Sequence, residues 1–303
     1  MAPCFFVTDL HGDEIRYETL FARIRAERPR GVFLGGDLLP SGLFHLGGLT
    51  PVHRDFVGDF LAPAFLAIRD ELGPEGPEVF LVLGNDDARV EEPAIVEAAT
   101  RGAWRYAHFR RQPFDGFDVL GYNYVPPTPF LNKDWERYDV SRFVDPGCVS
   151  PEEGRRTVPV TGEEQRWATI QRDLEELAEG SDLSKTICLF HSPPYDTPLD
   201  RAALDGRRVD HVAVDVHVGS IAIRRFIETR VPRITLHGHV HESARLTGAW
   251  RCRIGTTEAM SAAHDGPELA LVRFDPHRPE EATRELIGPA NGIGGREAPG
   301  ARR

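Results

Sequence analysis

Short runs rich in valine, isoleucine, phenylalanine and leucine recur along the chain, at residues 4–8, 32–35, 79–83, 119–122, 187–190 and 234–236. Between them, residues 14–26, 56–72, 163–178 and 220–229 carry apolar side chains at helical spacing. Strands alternating with amphipathic helices signal a layered α/β protein. Residues 250–254 and 269–274 read as strands with no helix between them, which points to a second sheet closing antiparallel against the first. Beyond Asp275 the chain turns to proline, glycine, glutamate and arginine. A single domain over 1–275 is expected, then an extension over 276–303 that is disordered from about residue 288.

One segment interrupts this rhythm. Residues 123–159 show little regular pattern but concentrate Tyr124, Phe130, Trp135, Tyr138, Arg137, Arg142, Arg155 and Arg156. An irregular insertion of this length is usually functional or mobile. It reads either as a surface excursion packed by its own aromatics or as a cap over a site, with Trp135 and Arg137 as candidates to hold a substrate's organic group and phosphate.

Five of the apolar runs end directly in polar clusters. They are Asp9-Leu10-His11-Gly12, Gly36-Asp37, Gly84-Asn85-Asp86-Asp87, His191, and His237-Gly238-His239-Val240-His241. Ligands of open α/β sheets bind at the carboxyl ends of the strands, so the five clusters can converge on one rim. Any one of them alone is weak, since a strand-end histidine is most often a hydrogen-bonded structural residue. Two aspartates, an asparagine oxygen and four imidazoles form a mixed nitrogen and oxygen set suited to Mn²⁺, Fe or Zn²⁺ rather than to a thiolate site. Asp-x-His and His-x-His place two side chains on one side of an extended chain, so each pair can chelate from a single strand end. The lone Asp37 could bridge two ions, and two ions ~3.5–4 Å apart can bind a phosphate across both and supply a hydroxide nucleophile.

In order and spacing these blocks resemble the signature of the calcineurin-like metallophosphoesterase superfamily. The resemblance implies a four-layer α/β/β/α sandwich of two mixed sheets flanked by helices, with a dinuclear centre at the strand ends. It implies that Asp9, His11 and His241 hold one metal, that Asn85, His191 and His239 hold the other, and that Asp37 bridges. It also implies hydrolysis of a phosphodiester or phosphomonoester by direct attack of a metal-bound hydroxide. In many members a histidine follows the asparagine and protonates the leaving oxygen. Here that position is Asp86, whose carboxylate ionises near pH ~3.9 and would stay ionised beside two cations. Asp86 therefore stands in the catalytic position without being a like-for-like acid; it would orient a ligand or water, or sit outside the metal shell. Asp87 fits the acidic position that supports its neighbours from behind.

Among the remaining histidines, His217 in Val214-Asp215-Val216-His217-Val218-Gly219-Ser220 precedes a helix and is a candidate proton donor; ordinary capping by Ser220 explains the same motif. His237 reads as structural, and His45 and His53 lie in the glycine-rich loop 41–51 or just after it, near the expected site.

Charge and cysteine usage bound the partners. Lysine plus arginine number 36 against 47 aspartates and glutamates, a net charge of −11, which disfavours a nucleic-acid substrate. No run approaches the ~20 apolar residues that span a bilayer, and the first nine residues lack the basic start of a signal peptide. Cys4, Cys148, Cys188 and Cys252 have no paired spacing and suit free thiols in a reducing compartment, so a cytoplasmic location is expected. The reading is a small-molecule phosphoesterase. Its rivals are a non-catalytic metal-binding scaffold, which would be expected to lose ligands, a nuclease, and a protein phosphatase.

Overall fold

The computed structural model describes residues 2–42 and 55–288. His45, His53 and the tail from residue 289 lie outside the described residues. In chain order the strands are β1 (Cys4–Val7), β2 (Gly31–Gly35), β3 (Glu78–Val82), β4 (Arg105–Tyr106), β5 (Arg110–Phe114), β6 (Phe117–Tyr122), β7 (Thr186–Phe190), β8 (Arg208–Val209), β9 (Val212–Ala213), β10 (Ile234–His237), β11 (Arg251–Ile254), β12 (Thr257–Ser261), β13 (Leu269–Phe274) and β14 (Thr283–Ile287). Two six-stranded sheets form, in the orders β14-β13-β1-β2-β3-β4 and β11-β12-β10-β7-β6-β5, with β8 and β9 paired separately. Strands β1 to β4 are parallel, as are β6, β7, β10 and β12, while β13, β14, β11 and β5 are antiparallel additions.

Strands of a parallel centre are covered on both faces, which is why they read as unbroken apolar runs. Alternation then sorts their side chains. Phe6, Phe33, Phe80 and Val82 meet Ile187, Leu189, Ile234 and Leu236 between the sheets. Phe5, Val7, Val32 and Leu34 turn the other way, packing with Leu20 and Ile24 of helix Glu14–Glu27 and Phe65 of helix Ala62–Leu72. Cys188 and Phe190 likewise join Leu174 of helix Ile170–Leu177 and Ile223 and Phe226 of helix Ile221–Arg230. The product is the expected four-layer sandwich.

Several elements depart from the sequence reading. Residues 250–254 and 269–274 do not form one second sheet; β11 edges the second sheet, and β13 enters the first beside β1. The first sheet also runs past Asp275, because β14 pairs with β13 along its length. Residues 163–178 hold two helices, Gly162–Trp167 and Ile170–Leu177, since Ala168 and Thr169 are extended and the Thr169 side chain caps the second helix. Helix Glu92–Thr100 and strand β12 were missed; Thr257 and Glu258 give β12 a polar look although the strand is buried.

The 123–159 insertion folds back on itself through isolated backbone bridges such as Val125 with Glu136 and Asn132 with Arg155. Trp135 is fully buried. Arg137 stacks 4.0 Å over Tyr124 and pairs with Asp173 and Glu164. Trp135 is sealed from solvent and the Arg137 guanidinium is committed to Tyr124, Asp173 and Glu164, against the expectation that this pair holds a substrate. Lys133 and Glu136 form a fully buried ion pair nearby. Asp139 fills the N-terminus of helix Ile221–Arg230, accepting from Ser220 Oγ at 2.5 Å and Ile221 N at 2.7 Å. Trp135→Ala should lower the unfolding free energy by about 3–5 kcal/mol. Denaturant unfolding of the purified variant checks this; an unchanged midpoint would mean that the insertion does not anchor the fold.

Candidate metal centre

Each sequence-predicted ligand sits just beyond the carboxyl end of a parallel strand. Asp9 and His11 follow β1, Asp37 follows β2, Asn85 follows β3, His191 follows β7, and His239 and His241 follow β10. The first two loops continue the ladder of their strands, with Asp9 N donating to Gly36 O at 2.9 Å and His11 N to Asp37 O at 2.9 Å. Asp9, His11, Asp37 and His239 all have left-handed backbones, with φ of 56°, 47°, 51° and 73°. Non-glycine residues adopt that region rarely and at a cost, and such strain gathers where function fixes the geometry.

The glycines of the motifs have a packing reason. A Cβ on Gly84 would lie 2.3 Å from Asp37 Oδ1 and 2.5 Å from His191 Nε2. A Cβ on Gly238 would lie 2.2 Å from Thr8 Oγ1 and 2.8 Å from Asp9 Oδ2. Each glycine thus vacates the space that a side chain of another block occupies, and the blocks interlock.

Ligand atoms gather in two sets, Asp9, His11, Asp37 and His241, and Asp37, His191 and His239, with the atoms of each set within 4.8 Å of one another. Asp37 belongs to both. His11 Nε2 and His241 Nε2 lie 3.2 Å apart, and His241 Nε2 lies 3.2 Å from Asp9 Oδ1. In the second set His191 Nε2 lies 3.2 Å from both Asp37 Oδ2 and Asn85 Oδ1. Asp9, Asp37, Asn85 and His191 are all buried.

The electrostatics demand positive charge. Burial opposes ionisation of Asp37, yet the neighbouring His191 and His11 hold its carboxyl below the usual range. Burial likewise works against a charged His11 and His191, but the surrounding aspartates raise both imidazoles to about 9. His239 goes down to about 4, through burial and the adjacent His191. Two buried carboxylates are thus balanced by protons on facing imidazoles, and a divalent cation can displace such protons and take over the balance. The buried carboxylates and the converging Nε2 atoms fit a pair of divalent ions.

The neighbouring residues are also placed. Asp87 is buried and accepts from Leu38 N, Leu39 N and Gly84 N at 2.9, 2.7 and 2.8 Å, stapling the Asp37 loop to the Asn85 loop; burial and the nearby Asp37 raise its carboxyl to about 7. His237 has both nitrogens occupied, by Ser192 O and Thr235 Oγ1. His217 belongs to a separate cluster, with Nδ1 2.8 Å from Asp200 Oδ1 and the ring against Tyr195. Asp86 lies inside the centre's surroundings, 3.3 Å from His11 Nδ1. Sequence reasoning missed Ser41 and Asp200, the partners of Asp86 and His217, because neither stands in a motif.

The sequence matches the calcineurin-like phosphoesterase family over residues 2–243. The chain belongs to that family. Its members are generally metal-dependent hydrolases of phosphoesters, and the fold described above is that of a calcineurin-like chain. One solved structure shares 15% identity and superposes with a TM-score of 0.57, covering 95% of this chain and 99% of its own. TT1561 of Thermus thermophilus, also 15% identical, superposes with a TM-score of 0.51 over 94% of this chain and 98% of its own. At that identity the likeness speaks for the fold. No curated protein matches significantly.

Proposed function

We propose that the chain hydrolyses a phosphodiester or phosphomonoester of a small molecule, with Asp9, His11 and His241 holding one divalent ion, Asn85, His191 and His239 a second, and Asp37 shared between them. The observation that carries this reading is the position of Asp37, whose carboxylate is common to both ligand sets. Two bound ions, drawn from Mn²⁺, Fe or Zn²⁺ by the donor set, would polarise the phosphorus and supply a hydroxide nucleophile near neutral pH. The chain's own residues fix the geometry: the left-handed loops aim the carboxylates, Asp87 ties two of those loops together, and Gly35 O, 2.8 Å from His191 Nδ1, turns that ring's Nε2 toward Asp37 and Asn85.

All seven ligand positions are filled, which favours an enzyme over a scaffold. The net charge of −11 favours a small phosphoester over a nucleic acid. No helix among the described residues is long and apolar enough to cross a membrane, and Cys4, Cys148, Cys188 and Cys252 are all free, in keeping with a reducing, cytoplasmic setting.

The test is metal analysis of the purified chain with a panel of phosphomonoesters, diesters and nucleotides. Two ions per chain are expected, with hydrolysis abolished by chelation and restored by Mn²⁺ or Zn²⁺. Chelation should also lower the melting temperature, because ions that bind only the folded state stabilise it. Full activity after complete metal removal would defeat the proposal.

A further inference from the structure

Asp86 occupies the one signature position where this sequence departs from the family's catalytic histidine, and its surroundings give it a different task. Its carboxylate is held from two sides. Ser41 Oγ donates to Oδ1 at 2.7 Å, and Oδ2 lies 3.3 Å from His11 Nδ1. Its backbone is pinned as well: Asp86 N donates to Asp37 Oδ1 at 2.8 Å, and Gly42 N donates to Asp86 O at 2.6 Å.

His11 needs such a partner. Its side chain is 29% exposed and its loop backbone is left-handed, so the core does not clamp the ring. Its ring contact is His241, at 5.1 Å between centroids, on the same side as the converging Nε2 atoms. The opposite nitrogen, Nδ1, faces Asp86. His191 shows what that second nitrogen does, since its Nδ1 lies 2.8 Å from Gly35 O while its Nε2 faces Asp37 and Asn85. One imidazole is thus aimed by a backbone carbonyl, and the other faces a carboxylate.

We infer that Asp86 is a positioning residue of the metal centre: its carboxylate accepts the Nδ1 proton of His11 and so aims the His11 Nε2 lone pair at the ion shared with Asp9 and His241. The inference rests on the dinuclear reading proposed above. A carboxylate suits the position because it has two acceptor oxygens, one for Ser41 and one for His11. A neutral histidine has a single acceptor nitrogen and could not serve both. Carboxylate partners of this kind fix the tautomer and raise the basicity of a metal-binding imidazole, and their loss typically weakens metal affinity ~10–100-fold.

The experiment is calorimetric titration of Zn²⁺ into chelator-stripped protein, comparing the wild type with Asp86→Ala, Asp86→Asn and Ser41→Ala, with melting curves of each metal-free form. In Asp86→Ala one of the two sites should weaken about 10–100-fold while the other stays within a few-fold. Asp86→Asn, which keeps one acceptor oxygen, should recover part of the loss. Ser41→Ala should weaken the same site by less, and the metal-free melting temperatures should agree. Two unchanged sites in Asp86→Ala would overturn the inference, as would equal weakening of both sites or a lower metal-free melting temperature. The wild-type titration separates the two readings: a wild type that binds no Zn²⁺ defeats the metal centre itself, whereas two wild-type sites indifferent to Asp86 defeat only its role.

Discussion

Asp37→Asn should remove most of the hydrolytic activity and lower the bound metal from two ions per chain to one or fewer. The asparagine has nearly the same shape, so the fold has no reason to change. Its single oxygen can still accept from Asp86 N, which donates to Asp37 Oδ1 at 2.8 Å. The amide nitrogen then takes the place of Oδ2, 3.2 Å from His191 Nε2, and presents a donor where the carboxylate shared by the two sets presented an acceptor. The substitution also removes one of the two buried carboxylates that give the centre its negative charge. Loss of an outer partner of a metal ligand typically costs ~10–100-fold, and loss of a ligand shared by two ions should exceed that. Metal content, turnover and the melting temperature of the stripped protein measure the three parts. A variant that keeps two ions and wild-type turnover would show that Asp37 is not shared.

Aryl phosphoesters should be hydrolysed faster than alkyl phosphoesters by about 10²–10⁴-fold, the factor that a positioned general acid normally supplies. The Asp86 oxygens are engaged, one accepting from Ser41 and the other facing His11, so the side chain is not placed to serve a leaving oxygen. The departing alkoxide must then carry its charge or draw a proton from water, and the rate becomes steep in the leaving group's pKa. A leaving-group series at saturating metal measures that slope. Asp86→His puts an imidazole at the position but removes the partner of His11. It should therefore speed alkyl esters relative to aryl ones only while metal occupancy is maintained. A shallow wild-type slope would mean that another residue supplies the proton, and His217, held 2.8 Å from Asp200, is the first to test, because His217→Ala would then steepen the slope.

Much of this was legible in the chain itself. The parallel strands announced themselves as apolar runs because burial on both faces leaves no room for polar alternation. The ligand blocks were legible because each follows such a run directly, and parallel strands necessarily deliver their carboxyl ends to the same side. Strand β12 escaped notice for the converse reason: Thr257 and Glu258 look polar locally, and only the neighbouring strands bury them. The short β14 was hidden in a polar stretch that is held by pairing with β13 and by contacts of Arg284 and Glu285 with distant segments.

Contacts between distant segments came only with folding. Trp135 and Arg137 carry the residue types of a substrate clamp, yet packing against Tyr124 and Asp173 turned them inward. Asp86 and His11 stand 75 positions apart, and no periodicity relates them; they meet because the loops after β1 and β3 flank the loop after β2. The glycines of the motifs were visible as glycines, but the side chains that fill their missing Cβ positions come from other blocks. The succession of strands along the chain and the donor types at each strand end follow from amino-acid order alone, because both are local properties of a few consecutive residues. Which donor faces which, and which residue holds it there, depends on the paths of loops whose ends are set by different strands, and only the assembled sandwich fixes those.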